Sequence, residues 1–162
     1  MTTGTVAGQL LSALGWIMSF KDIVMVRSVR AVTLALLLTT SVAHADIAVV
    51  INHDSPVRQL SKSEAINIFM GRFRKLPNGS VALPIDQSTL KARFYQALVH
   101  KDMAEINSYW ARLVFSGQAS PPQQATDLAE VTDIVTHNTN ALSYVENDHL
   151  PANMRVLLTL SE

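Results

Sequence analysis

The chain has 162 residues, 48 % of them hydrophobic and 16 % charged, with 13 basic side chains, 13 acidic ones and no cysteine. This balance lacks the basic excess of a nucleic-acid-binding surface, so no nucleic-acid partner is expected. With no cysteine, disulfides and thiolate metal sites are excluded, and packing alone must hold the fold.

In chain order, the first predicted segment is a leader. From Met25, Arg27 and Arg30 precede an apolar stretch, Ala31 to Val42, and Ala43-His44-Ala45 then places small residues at the positions a signal peptidase reads. This predicts a signal peptide over 25–45, cleavage after Ala45 and a periplasmic product. The apolar run is about a dozen residues, short of the roughly 20 that a spanning helix requires. Asp46, not cysteine, follows the cut, so no lipid anchor is expected. Residues 1–24 precede a complete signal with its own methionine, and are read as a leader without function or an early start, Met18 or Met25 being the true one in place of Met1.

The domain expected over 46–162 carries ten basic and twelve acidic side chains. A chain of this size buries about 60–70 % of its unfolded surface, which is enough for a proper core. Ile47-Ala48-Val49-Val50-Ile51 is a continuous β-branched run and predicts a strand buried on both faces. Ser61-Lys62-Ser63-Glu64 is a capping box, so a helix starts there and presents Ala65, Ile66, Phe69 and Met70 until Gly71 ends it. Pro77-Asn78-Gly79 turns the chain into a second strand, Val81 to Ile85, with Pro84 near its end.

From Ser88 the apolar period becomes helical through Leu90, Phe94, Ala97 and Leu98. Asp102 with Glu105 opens another helix carrying Ile106, Trp110, Leu113 and Val114, which Gly117 and Pro121-Pro122 break. Asp127 with Glu130 starts a helix bearing Leu128, Val131, Ile134 and Val135, and Ala141 to Val145 and Val156 to Leu160 read as closing strands. The predicted order is β-α-β-α-α-α-β-β, an α/β layer architecture.

This order, with Leu60 to Gly71, the Tyr109 to Gly117 segment, Pro121-Pro122 and Asn140-Ala141-Leu142-Ser143-Tyr144-Val145, resembles the small phosphate-binding-protein-like domains of bacterial periplasmic proteins. It is similar to one lobe of the two-lobed binding proteins that feed phosphate to ABC importers. The resemblance implies a single three-layer α/β lobe and a small oxyanion such as phosphate as ligand; the residues themselves show no catalytic constellation, so no enzymatic activity and no cofactor are expected. The site residues the resemblance implies are Asp86, Gln87, Ser88, Thr89 and Arg93.

Chemistry gives each of these a function. Ser88 and Thr89 at a helix start can offer hydroxyls and unpaired amides to an anion, Arg93 lies one turn on, and Asp86 can accept from a protonated phosphate. Each has an ordinary reading too: Ser88 as an N-cap, Arg93 as a solvated arginine, Asp86 as a turn residue. The pattern departs from the family's in that Pro84 to Leu90 contains no glycine, and Asn140 and Ser143 stand where relatives carry glycines.

His53, His100, His137 and His149 stand alone at no metal-ligand spacing, so no metal is expected. Neither a G-x-S-x-G elbow nor a cysteine nucleophile is present. Arg72, Arg74 and Lys75 form the one basic cluster, interleaved with Phe73. An alternative in a different class is a periplasmic protein-interaction or sensor module that has lost the ligand and docks on a membrane transporter, a sensor or a second copy.

Overall fold

The computed structural model of the protein describes residues 45–161. The expected leader, and all but the last residue of the expected signal peptide, fall outside them. The elements are β1 (Ile47–Asn52), α1 (Lys62–Phe69), β2 (Leu83–Gln87), α2 (Lys91–Val99), α3 (Met103–Phe115), β3 (Gln123–Ala125), α4 (Leu128–His137), β4 (Ala141–Glu146) and β5 (Met154–Leu160). They form one mixed sheet of order β3-β2-β4-β1-β5, with helices on both faces.

Within the sheet, β2 runs parallel to β3 and β4, whereas β1 is antiparallel to both β4 and β5. β1 is buried at every residue because its faces serve two cores. Ile47, Val49 and Ile51 point into the larger core with Phe69, Phe94, Tyr144 and Trp110. Ala48 and Val50 point to the other side, where Val131 and Val135 of α4 pack with Ile85 and Val145. Period-2 alternation on a strand covered on both sides thus yields the unbroken apolar run seen in the sequence.

An aromatic cluster fills the larger core. The rings of Phe94 and Tyr144 stack at 3.7 Å, and Phe69 meets Phe94 edge-on at 4.7 Å. Asn52, a buried polar residue at the end of β1, is satisfied by α4: its Nδ2 donates to the carbonyls of Val135 at 2.9 Å and Thr136 at 2.8 Å. It thereby caps the open carbonyls of that helix end and ties it to the sheet.

The helix starts follow the sequence signals. Ser61 and Glu64, and Asp102 and Glu105, form reciprocal capping boxes, and Asp127 accepts from the Glu130 amide. Gly71 and Gly117 take left-handed conformations after α1 and α3, both with φ of 68°. Gly71 also lies against the Trp110 ring, so a side chain there would have no room.

Three elements differ from the sequence expectation. The observed order contains an additional short strand, β3, whose residues Gln123 and Gln124 are exposed; sheet pairing rather than composition makes it a strand. β2 spans Leu83–Gln87 instead of Val81 to Ile85, because Val81 makes only an isolated bridge to Lys75 and regular pairing begins at Leu83 with Ala141. Pro84, which lacks a donor, therefore stands near the start of the strand. The helix expected from Ser88 begins at Lys91, with Leu90 as its N-cap and no side chain capping it.

Candidate functional site

β2 and β4 lie side by side and parallel, so their carboxyl ends open on the same edge of the sheet, where α2 follows β2 and ligands of open α/β sheets characteristically bind. The five sequence-predicted residues all lie at or just beyond this edge, yet they play different parts. Asp86 and Gln87 are the last residues of β2, Ser88 and Thr89 form the turn, and Arg93 is in the first turn of α2.

The Asp86 carboxylate is wholly buried and turned inward. It accepts from the Tyr95 hydroxyl at 3.1 and 3.3 Å, the Tyr144 hydroxyl at 3.3 Å and Gln124 Nε2 at 3.2 Å, and it pairs with Lys91 Nζ at 3.0 Å. Lys91 reaches Gln124 Oε1 as well, at 3.2 Å. With its oxygens shared among four side chains, Asp86 organises the edge from beneath. Burial first, and the Asp86 charge second, push the Tyr95 and Tyr144 phenols far above the ordinary tyrosine range.

Ser88 is also committed internally: its amide and its hydroxyl donate to the Ala125 carbonyl at 2.9 and 3.0 Å, fastening the turn to β3. Arg93 donates to the Glu146 carboxylate and, in the uncleaved chain, to the Ala45 carbonyl at 2.9 Å, a bond that cleavage after Ala45 would remove. Ser88 is thus neither the helix cap nor a free hydroxyl, and Arg93 is not simply solvated.

Gln87 and Thr89 face the open side. Together with Leu128, Glu146 and His149 they line a pocket of about 220 Å³ between the starts of α2 and α4. Gln87 is 5 % exposed; its Nε2 donates to Thr89 Oγ1 at 2.9 Å, and its Oε1 has no hydrogen-bond partner among the described residues. Larger grooves of about 400 Å³ lie on the outer surfaces of the helices; one of them, along α2, includes Arg93, and the other two share no residue with the pocket.

The rim of the pocket carries charge. The hydrogen bond from Arg93 holds the Glu146 carboxyl below the usual glutamate range, with a smaller contribution from His149. His149 Nδ1 lies 3.3 Å from Glu146 Oε2 and 3.2 Å from Asp148 Oδ1. Glu146, Asp148 and His149 bring their ligand atoms within 4.8 Å of one another, a grouping with metal-binding chemistry that single-residue spacing did not suggest. One of its carboxylates is already paired with Arg93, and Asp148 and His149 are exposed.

Sequence reasoning missed Lys91, Tyr95, Gln124 and Tyr144 around Asp86, and Glu146 and His149 on the rim. The alternation of β4, which puts Leu142 and Tyr144 on the same face, was the one available signal that Tyr144 points inward.

No family model matches the sequence, and no curated protein matches it. Among solved structures, the chain is similar to a Clostridium perfringens protein described as a phosphate ABC transporter substrate-binding protein with bound phosphate (TM-score 0.55, 14 % identity, covering 71 % of this chain and 45 % of that one). It is also similar to an ABC-type phosphate transport receptor from Vibrio cholerae (TM-score 0.53, 12 % identity, covering 71 % of this chain and 46 % of that one). The chain therefore corresponds to less than half the length of either. At such identities the likeness is one of architecture: a mixed α/β sheet with flanking helices, the fold of one periplasmic binding-protein lobe.

Proposed function

We propose that the chain is a non-enzymatic recognition lobe for a small oxyanion, with phosphate the first to test, acting in the periplasm after removal of a leader at Ala45. The observation that carries this reading is the pocket at the carboxyl edge of β2 and β4, which opens beside the one described α-helix whose start no side chain caps. The first amides of such a helix lack intrahelical partners and carry the positive end of its dipole. Of the two solved structures named above, one holds bound phosphate and the other is described as a phosphate transport receptor, which supports the same ligand class.

In this reading Thr89 and the first amides of α2 donate to the anion. Rotating the Gln87 amide by half a turn lets Thr89 donate to its oxygen and turns its N–H groups toward the space now facing Oε1. Asp86, Ser88 and Arg93 hold the turn and the rim in place. Glu146, kept ionised by Arg93, repels a fully deprotonated anion and accepts a hydrogen bond from one that retains a proton. That selects phosphate over sulfate.

The affinity follows from the contacts. A helix start contributes up to about 2 kcal/mol in a favourable geometry, and two or three charge-assisted hydrogen bonds add about 1.5–3 kcal/mol each. Lost translational and rotational freedom opposes them by at least about 4 kcal/mol, so one lobe falls short of the roughly 8 kcal/mol of a micromolar complex. A second lobe or a second copy closing over the pocket would supply the difference.

Isothermal titration tests this. Phosphate should bind one-to-one with a millimolar constant, at least about tenfold tighter than sulfate, and Thr89→Val should weaken it by about fivefold or more. Equal binding of sulfate would remove the role given to Glu146. No saturable binding of phosphate would overturn the oxyanion reading, and submicromolar binding by the monomer would overturn the need for a second half.

A further inference from the structure

On the helical layer away from the pocket, cations and exposed apolar side chains share a surface. Phe115, at the end of α3, is 96 % exposed and Phe73, just beyond α1, is 58 % exposed. Arg72 adjoins Phe73, and Arg112 precedes Phe115 by one helical turn. Arg72, Arg74, Lys75 and Arg112 make no ion pair among the described residues, and no carboxylate occurs in the sequence between Glu64 and Asp86 or between Glu105 and Asp127.

Three contacts bring the two segments together. Tyr109 donates to the Met70 carbonyl at 2.7 Å, Arg74 donates to the Ser120 carbonyl, and Gly71 packs on the Trp110 ring. Lys101, whose charge is paired with Glu105 at 2.7 Å, lines both the groove beside Arg72 and the groove that runs along α3 to Arg112, and Glu105 is the one carboxylate among the residues lining them. From Ser108 in that second groove, Phe115 is seven residues on and hence on the same helix face. A chain whose 46–162 portion is slightly acidic overall thus concentrates unneutralised positive charge, together with two protruding phenylalanines, on one side.

We propose that this face docks on an anionic phospholipid bilayer, with Phe115 and Phe73 entering the interface and Arg72, Arg74, Lys75 and Arg112 meeting lipid phosphates. Charge decides against a second copy, because apposing the face with itself would bring like charges together. The exposed apolar side chains, Phe73 and the neighbouring Val114 and Phe115, lie among these cations, whereas the centre of a protein interface is depleted of charge. Aromatic side chains among cations are the composition of surfaces that lie in the bilayer interface.

The chain contains no cysteine, so a single introduced thiol reports on one site. Phe115→Cys in the full chain, labelled with an environment-sensitive dye, should shift its emission to the blue on vesicles of phosphatidylcholine mixed with phosphatidylglycerol, and the shift should reverse with added salt. The same dye at Asp133→Cys, on α4 across the sheet, should not respond. Because each basic side chain strengthens such binding about fivefold, Arg72→Glu with Arg112→Glu should weaken the Phe115→Cys response by at least about thirtyfold while the far-ultraviolet circular dichroism is unchanged. Any of four results overturns the proposal: no shift, an equal shift at residue 133, an equal shift on phosphatidylcholine alone, or resistance to the charge reversals. A shift elicited by soluble polyglutamate but not by vesicles assigns the face to an acidic protein, and one that grows with protein concentration without lipid assigns it to a second copy; both also overturn it.

Discussion

Replacing Asp86 with alanine tests whether this carboxylate is the keystone of the sheet edge. The substitution removes the acceptor that lies 3.1 to 3.3 Å from the buried Tyr95 and Tyr144 hydroxyls and leaves them only long contacts of 3.5 Å, to the Phe69 and Gln87 carbonyls. Each hydroxyl so stranded costs about 1–3 kcal/mol. Lys91 is 18 % exposed and can turn to water, and Gln124 lies on the exposed edge strand, so these two add little. The expected loss is therefore about 2–5 kcal/mol, most of it owed to the two phenols.

A double-mutant cycle isolates that contribution. In a background of Tyr95→Phe with Tyr144→Phe, Asp86→Ala should cost at least about 1 kcal/mol less than in the native chain, because no hydroxyl remains to be stranded. Urea unfolding followed by far-ultraviolet circular dichroism measures each corner, with unchanged slopes confirming that the comparison is one of stability. A loss below about 0.5 kcal/mol for Asp86→Ala, or strict additivity in the cycle, would refute the account of Asp86 as a shared internal acceptor.

At Gly71, alanine would combine a left-handed backbone with a Cβ placed 2.8 Å from Trp110 Cη2, so Gly71→Ala should destabilise by about 2–4 kcal/mol; an unchanged urea midpoint would contradict the packing described. Tyr95 and Tyr144 have raised phenol values in the fold, so the stability they contribute is complete below the ordinary phenol value of about 10 and is lost above it, as the unfolded chain ionises first. Phenolate absorbance from these two residues should accordingly rise together with the loss of circular dichroism, and its rise in an intact fold would show that they are accessible. Glu146 has a lowered value, so its contribution is present above the ordinary glutamate range and disappears as pH falls through the folded value. Arg93→Gln should thus lower the urea midpoint at neutral pH and converge with the native chain in acid; a difference independent of pH would place the effect of Arg93 elsewhere.

Much of the fold was legible because its signals are local. The Ile47 to Ile51 run, the capping boxes at Ser61 and Asp102 and the left-handed glycine at 71 each depend on residues within a few positions of one another. β3 was hidden for the opposite reason: Gln123 and Gln124 read as polar loop, and only the pairing of Ile85 with Gln123 and Asp86 with Gln124 makes a strand of them. The location of the candidate site was legible too, since Pro84 to Leu90 ends a strand and begins a helix. Its division of labour was not. Asp86 and Thr89 are three residues apart, and only the tertiary placement of Tyr95, Gln124 and Tyr144 determines that one faces the core and the other the pocket.

The position of β1 governs when the chain can fold. The first strand lies between the last two, with Ile47 opposite Glu146 on one side and Leu160 on the other. Its hydrogen-bonding partners are thus made about a hundred residues after it, at the far end of the chain. Until then the most apolar segment of the domain has no sheet to enter, and the two cores that meet on its faces cannot close. Long loop closure makes such pairing slow and leaves the nascent chain open. The domain is therefore late-locking: β1 cannot be paired on both edges until β4 and β5 have been made, and loss of β5 would leave one edge of β1 and part of both cores open.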